Sequence, residues 1–150
     1  MRVYIPVTFV GLRRAVASGA LPSSGWHARI LGSGRLGSGA DDADNDQGSA
    51  EYESLRLAAA ESLVALRSEP EAPRRRAVVV ANIPEEWTDS EPDGGVILTR
   101  RVPVERFLAV YADGPDAAGT IVAALNGKES AIDSTDLLWF ARQELADLVS

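Results

Sequence analysis

Arg76 to Ile83 reads RAVVVANI, an apolar, β-branched run without the period-2 alternation of a strand that has one wet face. It is the pattern of a central strand buried on both faces, so the chain is organised around a sheet. Arg2 to Val7 (RVYIPV), Trp26 to Leu31, Val96 to Val102 and Phe107 to Ala112 carry the β-branched and aromatic residues of further strands. Pro84 to Gly95 reads as a loop between two of them.

Helices are expected between these runs. Thr8 is placed to cap a helix with Phe9, Leu12 and Val16 on one face, which Gly19 stops. Tyr52, Leu55, Ala59, Leu63 and Leu66 form a stripe that predicts a helix over 51–67, ended by Pro70 and Pro73. Asp113-Gly114-Pro115 opens a third, with Ala118, Ile121, Val122 and Leu125 inward and Gly127 closing it. Leu138, Ala141, Leu145 and Leu148 predict a last helix over 135–149, capped by Asp133 or Ser134. The order β-α-β-α-β-β-β-α-α implies a single α+β two-layer domain spanning residues 1–150, a mixed sheet of about five strands with about four helices. Residues 32–49 hold five Gly, three Ser and four Asp with one large aliphatic, Leu36, and read as a flexible loop.

Composition narrows the chemistry. The 150 residues include no cysteine and one histidine, His27, which removes disulfides, thiolate nucleophiles and Cys-ligated zinc; neither a metal nor a cofactor is expected. The net charge of −7 disfavours nucleic acid and anionic membranes as partners. No apolar run nears the roughly 20 residues of a membrane span. Arg2, Val3 to Leu12 and Ala15-Val16-Ala17 imitate a secretion leader, but Pro6, Thr8 and Arg13-Arg14 interrupt the pattern, so the expectation is a cytoplasmic protein.

Several motifs have a chemical reading beside a plainer one. Gly32, Gly34 and Gly37 fit G-x-G-x-x-G, yet no helix is expected to open there and four aspartates follow, so a linker explains them better. Asp42, Asp44, Asp46 and Glu53 fall on positions 1, 3, 5 and 12 of a calcium loop, but Gln47 stands where the sharp turn needs glycine. His27 has no partner implied by spacing, and no pair of carboxylates stands out as a catalytic couple. Arg74, Arg75, Arg76, Arg100 and Arg101 sit at expected strand ends and would form an anion-binding patch if those ends meet. Trp139, Arg142 and Gln143 share one face of the expected last helix, and Trp and Arg are enriched in interface hot spots, so the three are partner-binding candidates.

MRVYIPVT at Met1 to Thr8, AAAESL at Ala58 to Leu63, RRRAVVVANIP at Arg74 to Pro84 and LLWFARQEL at Leu137 to Leu145 resemble landmarks of a family of short, uncharacterised actinobacterial proteins. That resemblance implies an actinobacterial cytosolic domain of unknown function and carries over no catalytic residue. Relatives are expected to continue His-Ala with Val-Thr, where this chain has Arg29-Ile30 and a long Gly/Asp insertion. Two functional readings follow. The first is a non-catalytic binding or interaction domain with a protein partner or a second copy; the alternative is an enzyme or binding protein for an anionic small molecule, using the arginines and an Asp/Glu base.

Overall fold

The computed structural model describes residues 1–21, 27–30, 43–134 and 136–150. Their elements run β1 (Arg2–Val7), α1 (Phe9–Ser18), β2 (Ala20–Leu21), β3 (His27–Ile30), α2 (Ala43–Arg67), β4 (Ala77–Asn82) and β5 (Thr88–Ser90). Next come β6 (Val96–Leu98), β7 (Val102–Pro103), β8 (Phe107–Ala112), α3 (Ala118–Leu125), β9 (Leu138–Ala141) and α4 (Leu145–Val149). Seven strands pair in the order β5-β6-β3-β1-β4-β8-β9, and β2 pairs with β7 in a separate ribbon.

Every ladder among the described residues is antiparallel, which corrects the expected mixed sheet of about five strands. The reason is visible where β1 meets β4. Helix α2 returns the chain to the end of the sheet that β1 has just reached, and β4 runs back along β1 with Ala77 opposite Val7. The buried Ser62 on α2 fixes that return: its hydroxyl donates to the Val7 carbonyl at 2.6 Å and accepts the Ala77 N–H at 3.0 Å.

Side chains alternate across the sheet, and at β1 and β4 both faces are covered. Val3, Ile5, Val7, Val79 and Ala81 pack with Phe9 and Leu12 of α1 and with Leu145 and Val149 of α4. Tyr4, Val78 and Val80 point the other way, onto Ala58 and Ala59 of α2. Leu63 and Leu66 then carry α2 onto Ile121 and Ala124 of α3. The layers number three rather than the expected two, as a fully apolar β4 requires. The opening unit follows the sequence reading except at Val16, which is 40% exposed while Ala15 is buried: Thr8 Oγ1 accepts the Gly11 N–H at 3.5 Å, and Gly19 ends α1 at φ 86°, a left-handed conformation that glycine adopts without strain.

Four further expectations fail. Helix α2 opens at Ala43, eight residues before the expected start, so 43–49 are helical, while 31–42 lie outside the described residues. Strand β5 falls in the expected Pro84–Gly95 loop, and the Val96–Val102 run divides into β6 and β7. The expected last helix is the largest error: Leu138–Ala141 is a strand, Arg142–Glu144 a 3₁₀ turn, and only Leu145–Val149 is α-helical. Leu-Trp-Phe has strong strand preference, and the open side of β8 pairs Tyr111 with Trp139 and Val110 with Phe140, which outweighs the helical spacing.

Candidate functional site

Helix α2 lies over β1, β3 and β4, and among the described residues the same face of β8 and β9 is covered only in part, at Tyr111. Along the step from α2 down to these strands runs a groove of about 380 Å³. The chain has three tyrosines in all, and Tyr4 from β1, Tyr52 from α2 and Tyr111 from β8 all line it together with Trp139 from β9. Tyr4 is buried in the floor, Tyr111 is half-buried, and Tyr52 and Trp139 stand out on either side, 68% and 57% exposed. Strand β8 adds an apolar rim: Val80 pairs with Ala109 and Ala81 with Phe107, so Leu108 is a bulged extra residue without a β4 partner, 47% exposed. At the N-terminal end of β1, Arg2 Nη1 donates to Glu51 Oε1 at 2.7 Å and closes the groove with an ion pair.

Tyr52 and Leu55 separate this groove from a second hollow of about 580 Å³, which continues along α2 past Arg56 and Ala59 to Arg76 and Asp136. The two form one trough beside the helix. Burial raises the Tyr4 phenol above its ordinary value of 10.0, the nearby Glu51 charge adds to the shift, and Arg2 opposes it. A phenol shifted upward favours the folded state while it is neutral. That stabilisation is complete below the unfolded pKa and is lost as pH rises through the folded one. Alkaline titration followed at 295 nm is expected to show one tyrosine ionising above 10.0, and Tyr4→Phe should remove that step. An unchanged titration in the variant would contradict the assignment.

Of the arginine candidates, Arg74, Arg75 and Arg76 are taken up by the fold. Arg74 donates to the carbonyls of Ala72 at 3.0 Å, of Leu66 at 3.1 Å and of Glu69, closing the C-terminal end of α2, where a cation suits the helix dipole. Arg75 Nε donates to the Asp113 carbonyl at 2.8 Å, and its guanidinium lies 4.3 Å from the centre of the Phe9 ring. Burial lowers the Arg75 pKa, and the Asp113 charge works against that shift. Arg76 is 5% exposed and grips Asp113 with both Nε at 2.9 Å and Nη2 at 2.8 Å. Arg100 lies over Trp87, 6.0 Å from the ring centre, with Arg106 at 5.1 Å, and Arg101 is exposed. The run at 74–76 and the pair at 100–101 have no partner in common among these contacts.

The partner-binding candidates separate. Trp139 lies on β9 in the groove, whereas Arg142 and the exposed Gln143 follow in the 3₁₀ turn, where Arg142 Nη1 donates to the Glu105 carbonyl at 2.7 Å. Tyr4, Tyr52, Tyr111 and Leu108 were not anticipated. Each belongs to a different stretch of sequence or has a conventional core reading, and the scarcity of tyrosine was the one available hint. The G-x-G-x-x-G run at 32–37 lies outside the described residues, as does Asp42; Asp44, Asp46 and Glu53 fall in the continuous helix α2, which cannot wrap an ion as a calcium loop does. Among the described residues no group of three His, Asp or Glu side chains is placed to hold a metal, and no helix is long and apolar enough to cross a membrane.

No curated protein and no solved structure matches this chain. A family model does match, over residues 1–149, nearly its whole length. The chain belongs to DUF6912, a family of unknown function.

Proposed function

We propose that this chain is a non-catalytic binding domain whose site is the aromatic groove between α2 and strands β8 and β9. The observation that carries the reading is the convergence of all three tyrosines with Trp139 from four separate elements. Aromatic side chains on rigid elements give large contact area at small entropic cost, and a groove with apolar walls and an ion pair at one end suits an apolar or aromatic side chain of a protein partner. The landmark segments that resemble actinobacterial proteins support placing this work in an actinobacterial cytoplasm.

The anionic small-molecule reading draws less support. Arg74, Arg75 and Arg76 spend their donors on helix-end carbonyls and on Asp113, and Asp113, the carboxylate beside them, is 0% exposed and held by Arg76. A buried carboxylate engaged in this way is poorly placed to take a proton from a substrate.

Native mass spectrometry of the protein purified gently from an actinobacterial host tests the choice. A bound partner is expected whose retention falls at least about 30-fold in affinity when Trp139 and Tyr111 are both replaced by alanine, as for hot-spot aromatics. Arg101→Ala should leave it bound. The proposal fails if the aromatic replacements change nothing, or if a small anion is retained instead and lost with Arg101→Ala.

A further inference from the structure

The sheet has two edges, and they differ. At one, β5 reads Thr88-Asp89-Ser90, a three-residue polar strand with an exposed carboxylate, the usual protection against pairing with another chain. At the other, β9 reads Leu138-Trp139-Phe140-Ala141, with no charge, no proline and no bulge against β8. Among the described residues its single sheet neighbour is β8, and Leu138 and Trp139 are 50% and 57% exposed. Such an edge offers a row of backbone groups and apolar side chains to a further strand.

We infer that β9 pairs antiparallel with β9 of a second copy of this chain, in a register centred on Trp139. A two-fold axis perpendicular to the sheet sets one residue of the strand opposite itself and every other residue opposite its mirror position. With Trp139 on the axis, Leu138 faces Phe140 of the partner, Leu137 faces Ala141, and Asp136 faces Arg142 at both ends. Asp136 and Arg142, the latter at the start of the 3₁₀ turn with Nη1 on the Glu105 carbonyl, are exposed and opposite in charge, so the flanks complement each other although each chain carries −7. The uncharged strand between them puts no like charges face to face. The two Trp139 rings then lie side by side on one face, an aromatic cross-strand pair, and the two grooves become continuous across the axis. This pairing rests on the sheet edge and is independent of what occupies the groove.

A ladder of about five residues is a small interface, so the dimer is expected to be reversible, with a Kd on the order of micromolar. Sedimentation velocity from about 1 to about 100 μM therefore brackets the transition. The 15.9 kDa chain is expected to shift toward twice its mass over that range. Asp136→Arg and Arg142→Asp each place like charges opposite at both ends and should weaken association about tenfold or more. Mixed one to one, these variants restore opposite charges at both ends, and association should return. Circular dichroism melts matching the wild type establish that each variant is folded. A wild-type chain that stays monomeric, single variants that associate as the wild type does, or a mixture that fails to recover would each overturn the proposal.

Discussion

Asp113→Ala is expected to destabilise the fold by about 3–5 kcal/mol, a large part of the roughly 5–15 kcal/mol that holds a domain of this size together. The carboxylate is 0% exposed and accepts three bonds from one residue: the Arg76 backbone N–H at 2.7 Å, Nε at 2.9 Å and Nη2 at 2.8 Å. The Arg76 carbonyl in turn accepts the Asp113 N–H at 3.1 Å. Together these lock the entry of β4 to the exit of β8. Removing the carboxylate takes three bonds and the Asp113 counter-charge away from a 5%-exposed guanidinium, and the penalty comes from desolvated charge more than from lost packing. Replacing both partners by apolar groups removes the penalty as well. Asp113→Ala combined with Arg76→Met should therefore be more stable than Asp113→Ala alone by urea denaturation. A single variant that unfolds within about 1 kcal/mol of the wild type would show that water or the contacts Arg76 keeps make up for the lost carboxylate.

The strands were legible wherever β preference and burial agreed. Phe107–Ala112 was read with the bounds that the structure has, and the apolar run at 76–83 does become β4, buried on both faces. That same run already required a third layer, since an antiparallel sheet with one wet face would alternate; the expected two-layer domain gave the local signal too little weight. The segment 138–141 departs from the expected helix although Leu138, Ala141 and Leu145 satisfy helical spacing, because the strand preference of Leu-Trp-Phe and the unfilled side of β8 together decide against it. In α2, Leu63 and Leu66 are buried as the stripe implies, but Tyr52 at its start is 68% exposed, because the face buried there runs through Ala50, Ser54 and Ala58 and leaves Tyr52 on the flank. The groove was illegible for a related reason. Its members stand at positions 4, 52, 111 and 139, joined by sheet order and not by spacing, and the arginines that looked like a site are what fasten the ends of α2 and β4.

Phe9→Ala should cost a similar 3–5 kcal/mol, through packing in place of charge. Phe9 is 1% exposed at the first position of α1, in the core cluster that joins this helix to Val7 of β1 and Ala77 of β4. The Arg75 guanidinium lies 4.3 Å from its ring centre and is partly desolvated there, so the ring both fills the core and receives a cation on its face. Truncation to alanine removes both contributions and leaves a void that a sheet tied by β1–β4 pairing cannot collapse to fill. Phe9→Leu retains most of the hydrocarbon and gives up the cation contact, so its loss should be nearer about 1–2 kcal/mol. Arg75→Met made in the Phe9→Leu background should then cost less than Arg75→Met in the wild type, because the ring that the guanidinium covered is gone. Urea melts of the four chains measure the coupling. Equal effects of Arg75→Met in both backgrounds would show that Phe9 acts on stability through burial alone, with Arg75 held by its bond to the Asp113 carbonyl.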